Sequence, residues 1–212
     1  AEAAWGEALA GLDGGTLLAT GPAPAGQEPG RLDVTVDGLD VRGAARRLGV
    51  TVNTLVQSAW LLLLARLTGR DDIVTGTTVS GRSTDLPGAA DMVGLLINTV
   101  PLRAILRADE QAGEFARRLQ LEQARLVEHH HLGLVDIRRL AGHGELFDTS
   151  MVFENYPLDV DALAAVARRA GLEAGAVAHR AVTHYALAME ASPAPSGGGL
   201  RLRLHHRPDV LT

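Results

Sequence analysis

The chain has 212 residues, of which 46% are hydrophobic and 21% charged, with a formal net charge of −5 and no cysteine. That length can bury a sizeable core, as one domain or as one lobe of a larger one, and the composition excludes a disordered chain. The acidic balance argues against a general nucleic-acid binder. The missing cysteines exclude disulfides, thiol catalysis and Cys-ligated zinc, and fit a reducing cytoplasm.

Residues 2–10 carry a helical pattern closed by Gly11 and the Gly14-Gly15 turn. A Pro- and Gly-rich loop over 21–30 follows. Leu32, Val34 and Val36 then alternate with Arg31, Asp33, Thr35 and Asp37, as in a half-buried strand. A short helix near 40–48 stops at Gly49. The next starts at Thr51 or Asn53, either a suitable N-cap, and runs to Leu67 with Gly69 as its C-cap. It is apolar nearly all round, which predicts a core helix. Its apolar run over 59–65 is the longest in the chain and far too short to span a bilayer.

A β-branched strand is predicted over 73–79, then a turn-rich loop from Ser80 to Gly88. Residues 92–103 form an apolar run bounded by Gly94 and Pro101, which predicts a buried strand with Asn98 and Thr99 in its middle. An unpaired amide there would cost about 1–3 kcal/mol, so these groups either stitch neighbouring strands or line a cavity. Pro101, with no N–H to donate, is expected to end the ladder. Asp109 is expected to cap a long helix with Phe115, Leu119, Gln123 and Leu126 on one face. A helix over 134–141, a strand over 146–155, an Ala-rich helix over 159–170 and a hairpin pairing 177–191 with 200–207 complete the order. Strands and helices interleave throughout, the mark of an α/β layer.

Residues 92–103 (MVGLLINTVPLR) resemble the Val-Gly-x-Phe-(Val/Ile)-Asn-Thr-x-x-x-Arg motif of condensation domains in nonribosomal peptide synthetases, with Gly94, Ile97, Asn98, Thr99 and Arg103 matching. Val79-Ser80-Gly81-Arg82 is similar to the family's Val-Ser-Gly-Arg turn. Leu146-Phe147-Asp148-Thr149 and Val152-Phe153-Glu154-Asn155-Tyr156-Pro157 are similar to its later segments, and 5–18 to the helix and turn that open the second half of such domains. The resemblance implies a chloramphenicol acetyltransferase-like fold, a mixed sheet packed with helices. Two such lobes meet in a V around a tunnel, and residues 1–212 resemble the C-terminal lobe alone. The start at Ala1, without an initiator Met, likewise suggests a fragment.

The family's catalytic His-His-x-x-x-Asp-Gly lies in the N-terminal lobe and does not occur in this sequence. His130-His131 is followed by Asp136 after four residues rather than three, with Ile137 in place of Gly, and it stands in the wrong order among the other motifs. No catalytic residue is therefore assigned. The resemblance makes Asn98, Ser80, Gly81 and Arg82 candidates for the tunnel wall: Asn98 as a neutral hydrogen-bonding group, and Gly81 for close approach of backbone to substrate. Ser80 lacks the Gly-x-Ser-x-Gly context of an activated nucleophile.

His129, His130 and His131 point about 100° apart on a helix and cannot converge on one metal. A solvated helix end carrying partly charged imidazoles is expected, and His205 and His206 on a strand face opposite sides. Phe153 and Tyr156 are expected to anchor the core, and Asp148 to hydrogen-bond locally. All 20 basic residues are Arg, which we read as genome composition rather than selection for phosphate recognition. No metal or bound cofactor is expected.

What the resemblance implies is amide-bond formation between acyl and aminoacyl thioesters carried on the phosphopantetheine arms of peptidyl carrier proteins, beside an adenylation domain. The missing N-terminal lobe is the first partner, with neither membrane nor nucleic acid involved, and this lobe alone is expected to be inactive. Two alternatives remain: a non-catalytic lobe that recruits carrier proteins, and a lobe of a related epimerization domain. The latter usually carries aromatic and Ser-rich residues in place of Ile97-Asn98-Thr99.

Overall fold

The computed structural model describes residues 1–19, 21, 24, 27–81, 88, 91–155, 166–171, 183–194 and 199–211. In chain order it contains α1 (Glu2–Ala8), β1 (Gly30–Val36), α2 (Val41–Leu48), α3 (Val52–Thr68), β2 (Asp72–Val79) and β3 (Asn98–Ile105). Then come α4 (Ala112–Ala124), a 3-10 turn (Val127–His129), α5 (Leu134–Ala141), β4 (Thr149–Phe153), β5 (Leu187–Pro193) and β6 (Leu200–His206). The six strands form one mixed sheet in the order β1-β6-β5-β4-β2-β3. Strand β4 runs parallel to both β2 and β5, and the other pairs are antiparallel.

Adjacent residues on a strand face opposite sides, and β2 shows both. Ile73 joins Trp60, Leu61 and Leu64 of α3 and Phe115 and Leu119 of α4 in one core cluster, while Val74 joins Trp5 of α1, Ile137 of α5 and Phe147 in another. The sheet thus has a helical layer on each face. Helix ends follow the sequence: Asp40 caps α2 through the Gly43 N–H, Thr51 caps α3 through that of Thr54, and Gly49 and Gly69 close the two helices in the left-handed region.

Several expectations need correction. The apolar stretch 92–97 is not a strand: Met92, Val93, Leu95 and Ile97 are exposed, and β3 begins at Asn98. Pro101 does not end the ladder, because β3 continues to Ile105, with Pro101 opposite Gly76. The reason is topological. Among the described residues β3 is an edge strand bonded to β2 alone, so a missing N–H on its other side breaks no pairing there.

Helix α4 is capped from Gln111, whose N–H donates to Glu114, rather than from Asp109, and it ends before Leu126. β1 is the opposite edge and leaves Leu32 exposed. Helix α3 is not fully enclosed either, since Leu62, Leu63 and Leu67 are exposed along one flank. Strand β4 is shorter than expected. Phe147 precedes it and bridges Thr16. The Tyr156-Pro157 turn, most of the expected 159–170 helix and residues 177–182 of the hairpin lie outside the described residues.

Candidate functional site

Of the resemblance-bearing residues, Asn98, Ser80 and Gly81 lie at one end of the β2–β3 pair, because Val79 lies opposite Asn98. Ser80 is exposed just beyond β2. Gly81 follows with φ of 61°, where a side chain is strained and a Cβ would collide with the Leu96 carbonyl. The close approach made by Gly81 is therefore to its own chain. Arg82 lies outside the described residues.

Asn98 makes three hydrogen bonds. Its Nδ2 donates to the carbonyls of His130 at 2.8 Å and Leu132 at 2.9 Å, and its Oδ1 accepts the Thr99 N–H at 2.9 Å. It ties the start of β3 to the turn after α4 rather than to another strand. Asn98→Leu removes all three bonds and strands two carbonyls, so we expect a loss of about 2–3 kcal/mol in chemical denaturation. The His130 and Leu132 region should then lose protection from hydrogen exchange. A variant of unchanged stability and protection would contradict this anchoring role.

The other motif residues have structural partners far away in sequence. Arg103 donates from Nε and Nη2 to both carboxylate oxygens of Asp72, at 2.9 and 2.8 Å, and from Nη1 to the carbonyls of Ala8 and Ala10. It thereby caps α1, whose final carbonyls lack partners within the helix. Asp148 is not bonded locally, as the sequence suggested. Its carboxylate accepts the N–H groups of Leu18 (2.9 Å to each oxygen) and Ala19 (2.7 Å). Thr149 meets Thr75 at 2.8 Å, and Thr75 takes the Trp60 indole N–H at 3.2 Å, a buried polar thread between α3, β2 and β4.

Between α1, α4 and the open edge of β3 lies a groove of about 610 Å3. Its lining includes Trp5, Asn53, Gln57, Thr77, Gln123 and His130. The Gln57 Nε2 donates to Thr77 Oγ1 at 3.0 Å, and the Trp5 indole donates to the His129 carbonyl at 3.0 Å. The His triplet does not form a solvated α-helix end. It starts at the last residue of a 3-10 turn, and His130 is partly buried, with its pKa held below the usual histidine value by desolvation first and by neighbouring His129 second. Its imidazole is therefore neutral at pH 7.

Sequence reasoning missed Asn53 and Gln57. The available signal was two amides one turn apart in an otherwise apolar helix. Among the described residues no three His, Asp or Glu side chains are placed to hold a metal, and no single helix is long and apolar enough to cross a membrane.

The family model for the condensation domain matches residues 11–210. The chain is 40% identical over 156 residues to chondramide synthase cmdD of Chondromyces crocatus, covering 72% of this chain and 4% of that protein. It is 43% identical over 112 residues to vanchrobactin synthetase VabF of Vibrio anguillarum, covering 53% and 4%. Among solved structures, the X-domain in complex with OxyB from teicoplanin biosynthesis superposes with a TM-score of 0.77 at 22% identity, over 100% of this chain and 48% of that one. A mutant starter condensation domain of rhizomide synthetase RzmA, in complex with C8-CoA and Leu-SNAC, gives a TM-score of 0.74 at 24% identity, over 100% and 47%. The chain therefore spans less than half the length of these relatives and neighbours. Its mixed six-stranded sheet, its ordered motifs and the match over 11–210 together place it in the condensation-domain family of nonribosomal peptide synthetases.

Proposed function

We propose that this chain is the C-terminal lobe of a condensation domain and contributes one wall of its reaction tunnel, the catalytic histidines belonging to the other lobe. The observation that carries this reading is the coverage: the whole chain superposes on 47–48% of the RzmA and X-domain chains. The absence of His-His-x-x-x-Asp-Gly from the sequence supports it, as does the exposure of Met92, Val93, Leu95 and Ile97, an apolar stretch suited to lie against a second lobe.

In the joined domain, the amine of an aminoacyl thioester attacks the carbonyl carbon of an acyl or peptidyl thioester. The C–N bond forms, the C–S bond breaks, and the amine proton passes through a base to the departing thiolate. Both substrates ride on phosphopantetheine arms of peptidyl carrier proteins, with an adenylation domain as neighbour, in the cytoplasm. Positioning two tethered reactants supplies most of the rate. Asn98, Ser80 and Gly81 belong to the tunnel end of the lobe, and the family resemblance assigns Arg82 to the same wall. Asn98 acts there by fixing the turn that carries His130.

The isolated chain should fold and remain inert. Incubated with donor- and acceptor-loaded carrier proteins, it should give no dipeptidyl thioester above a no-protein control by mass spectrometry. Joined to a lobe bearing His-His-x-x-x-Asp-Gly, it should turn over. Turnover by the chain alone would refute the lobe assignment.

A further inference from the structure

We propose that a second cavity, beside α2, binds an amphipathic carboxylate, a small apolar acid whose head is held by Arg42 and Arg46. The cavity has a volume of about 660 Å3 and lies between α2, the start of α3 and the ends of β4, β5 and β6. None of its described lining comes from β2 or β3, so it is separate from the groove at the β3 edge, and the inference does not rest on the lobe assignment. Val50, Val52, Phe153 and Leu200 supply an apolar wall, of which all but Val50 are only partly buried. The charged side chains in the lining are Asp40, Arg42 and Arg46. A concave apolar surface with a few convergent polar groups is the usual form of a small-molecule site.

The arginines set the charge of the ligand. They stand four positions apart on α2, hence on the same face, where like charges destabilise a helix. Arg42 also lies in the first turn, where the helix dipole disfavours a cation. Neither guanidinium has a hydrogen bond or ion pair among the described residues. A bound anion offsets both costs.

Asp40 does not serve as that anion. Its carboxylate accepts the Gly43 N–H at 2.7 Å and lies 3.6 Å from Arg47. Two positive charges and one negative leave the lining with one net positive charge, which matches a monoanion. A carboxylate also fits the planar fork of a guanidinium. A dianionic phosphate would bring a second negative charge beside Asp40 without a cation to meet it. An uncharged molecule would leave the arginines unpaired, and a bare inorganic anion would leave Phe153 and Leu200 uncovered.

Uniformly 15N-labelled chain would be titrated at pH 7.5 with octanoate, octyl phosphate, octanol and acetate, each below its micelle concentration. We expect saturable shifts of the Val50 and Val52 amide resonances with octanoate, binding at least tenfold weaker with octanol and acetate, and weaker binding of octyl phosphate. A parallel titration with 3-phenylpropanoate assigns the apolar body: tighter binding than octanoate makes it aromatic, and weaker binding makes it aliphatic. Arg42→Gln and Arg46→Gln alter exposed side chains, so each should keep the melting temperature while weakening octanoate about tenfold. Arg201→Gln, which points to the opposite face of β6 from Leu200, should leave binding unchanged. Equal affinity for octanol, equal or tighter binding of octyl phosphate, shifts confined to residues outside the lining, or undiminished binding by the Arg42→Gln/Arg46→Gln double variant would overturn the proposal.

Discussion

Arg103→Met lowers the melting temperature by about 6–12 °C, the equivalent of about 3 kcal/mol for a domain of this size. The substitution keeps the aliphatic stem but leaves Asp72 without either of its guanidinium bonds and removes the cap on the Ala8 and Ala10 carbonyls. Both side chains are mostly shielded, 12% exposed for Arg103 and 24% for Asp72. Breaking such a pair therefore costs far more than losing a surface ion pair.

The double variant with Asp72→Leu separates the two contributions. If the ion pair dominates, adding Asp72→Leu to Arg103→Met recovers part of the lost stability, because no carboxylate is then left unpaired. If capping α1 dominates, the double variant is no more stable than Arg103→Met. An Arg103→Met melting temperature within 1–2 °C of the parent, which is about 0.5 kcal/mol, would show that the motif arginine is not a structural clamp in this lobe.

Asp148→Asn should destabilise the chain by about 2–3 kcal/mol although it changes one atom. The carboxylate accepts N–H groups from Leu18 and Ala19 with both oxygens, and hydrogen bonds to a charged group contribute about 1.5–3 kcal/mol each. An amide in its place turns one –NH2 towards a backbone donor. Leu18 packs on the larger core cluster, and Thr16 bonds to the Val74 N–H and the Leu146 carbonyl, so loosening 16–19 also exposes core. Urea denaturation gives the magnitude. The Leu18 and Ala19 amide resonances, which should lose their downfield shift in the variant, identify the cause. Normal stability with those resonances unmoved would contradict the clamp.

Local chemistry is legible in the sequence wherever it depends on neighbours in the chain. The cap at Thr51, one of the two positions the sequence offers, the glycines ending α2 and α3, and the β-branched run of β2 depend on interactions within a few residues, and they hold in the structure. The ordered motifs likewise point to the family. Where a pattern depends on distant partners, the sequence is ambiguous. The apolar 92–97 stretch looks like a buried strand, because hydrophobicity reports a demand for burial without naming the surface that supplies it.

Long-range geometry settles the rest. The sheet order places β3 at an edge, which lets Pro101 sit inside a strand. Asp148 meets Leu18 and Ala19 from about 130 positions away, and Arg103 reaches α1 across more than 90. No periodicity encodes such pairs. The same applies to the groove: Asn53 and Gln57 come from α3 and Gln123 from α4, and only helix packing brings their amides into one cavity. Composition, period and motif order suffice for the fold class, the family and the ends of α2 and α3. Which polar side chains anchor the fold and which face the groove is fixed by tertiary packing, because the partner of a buried hydrogen-bonding group is set by the folded chain rather than by its neighbours in sequence.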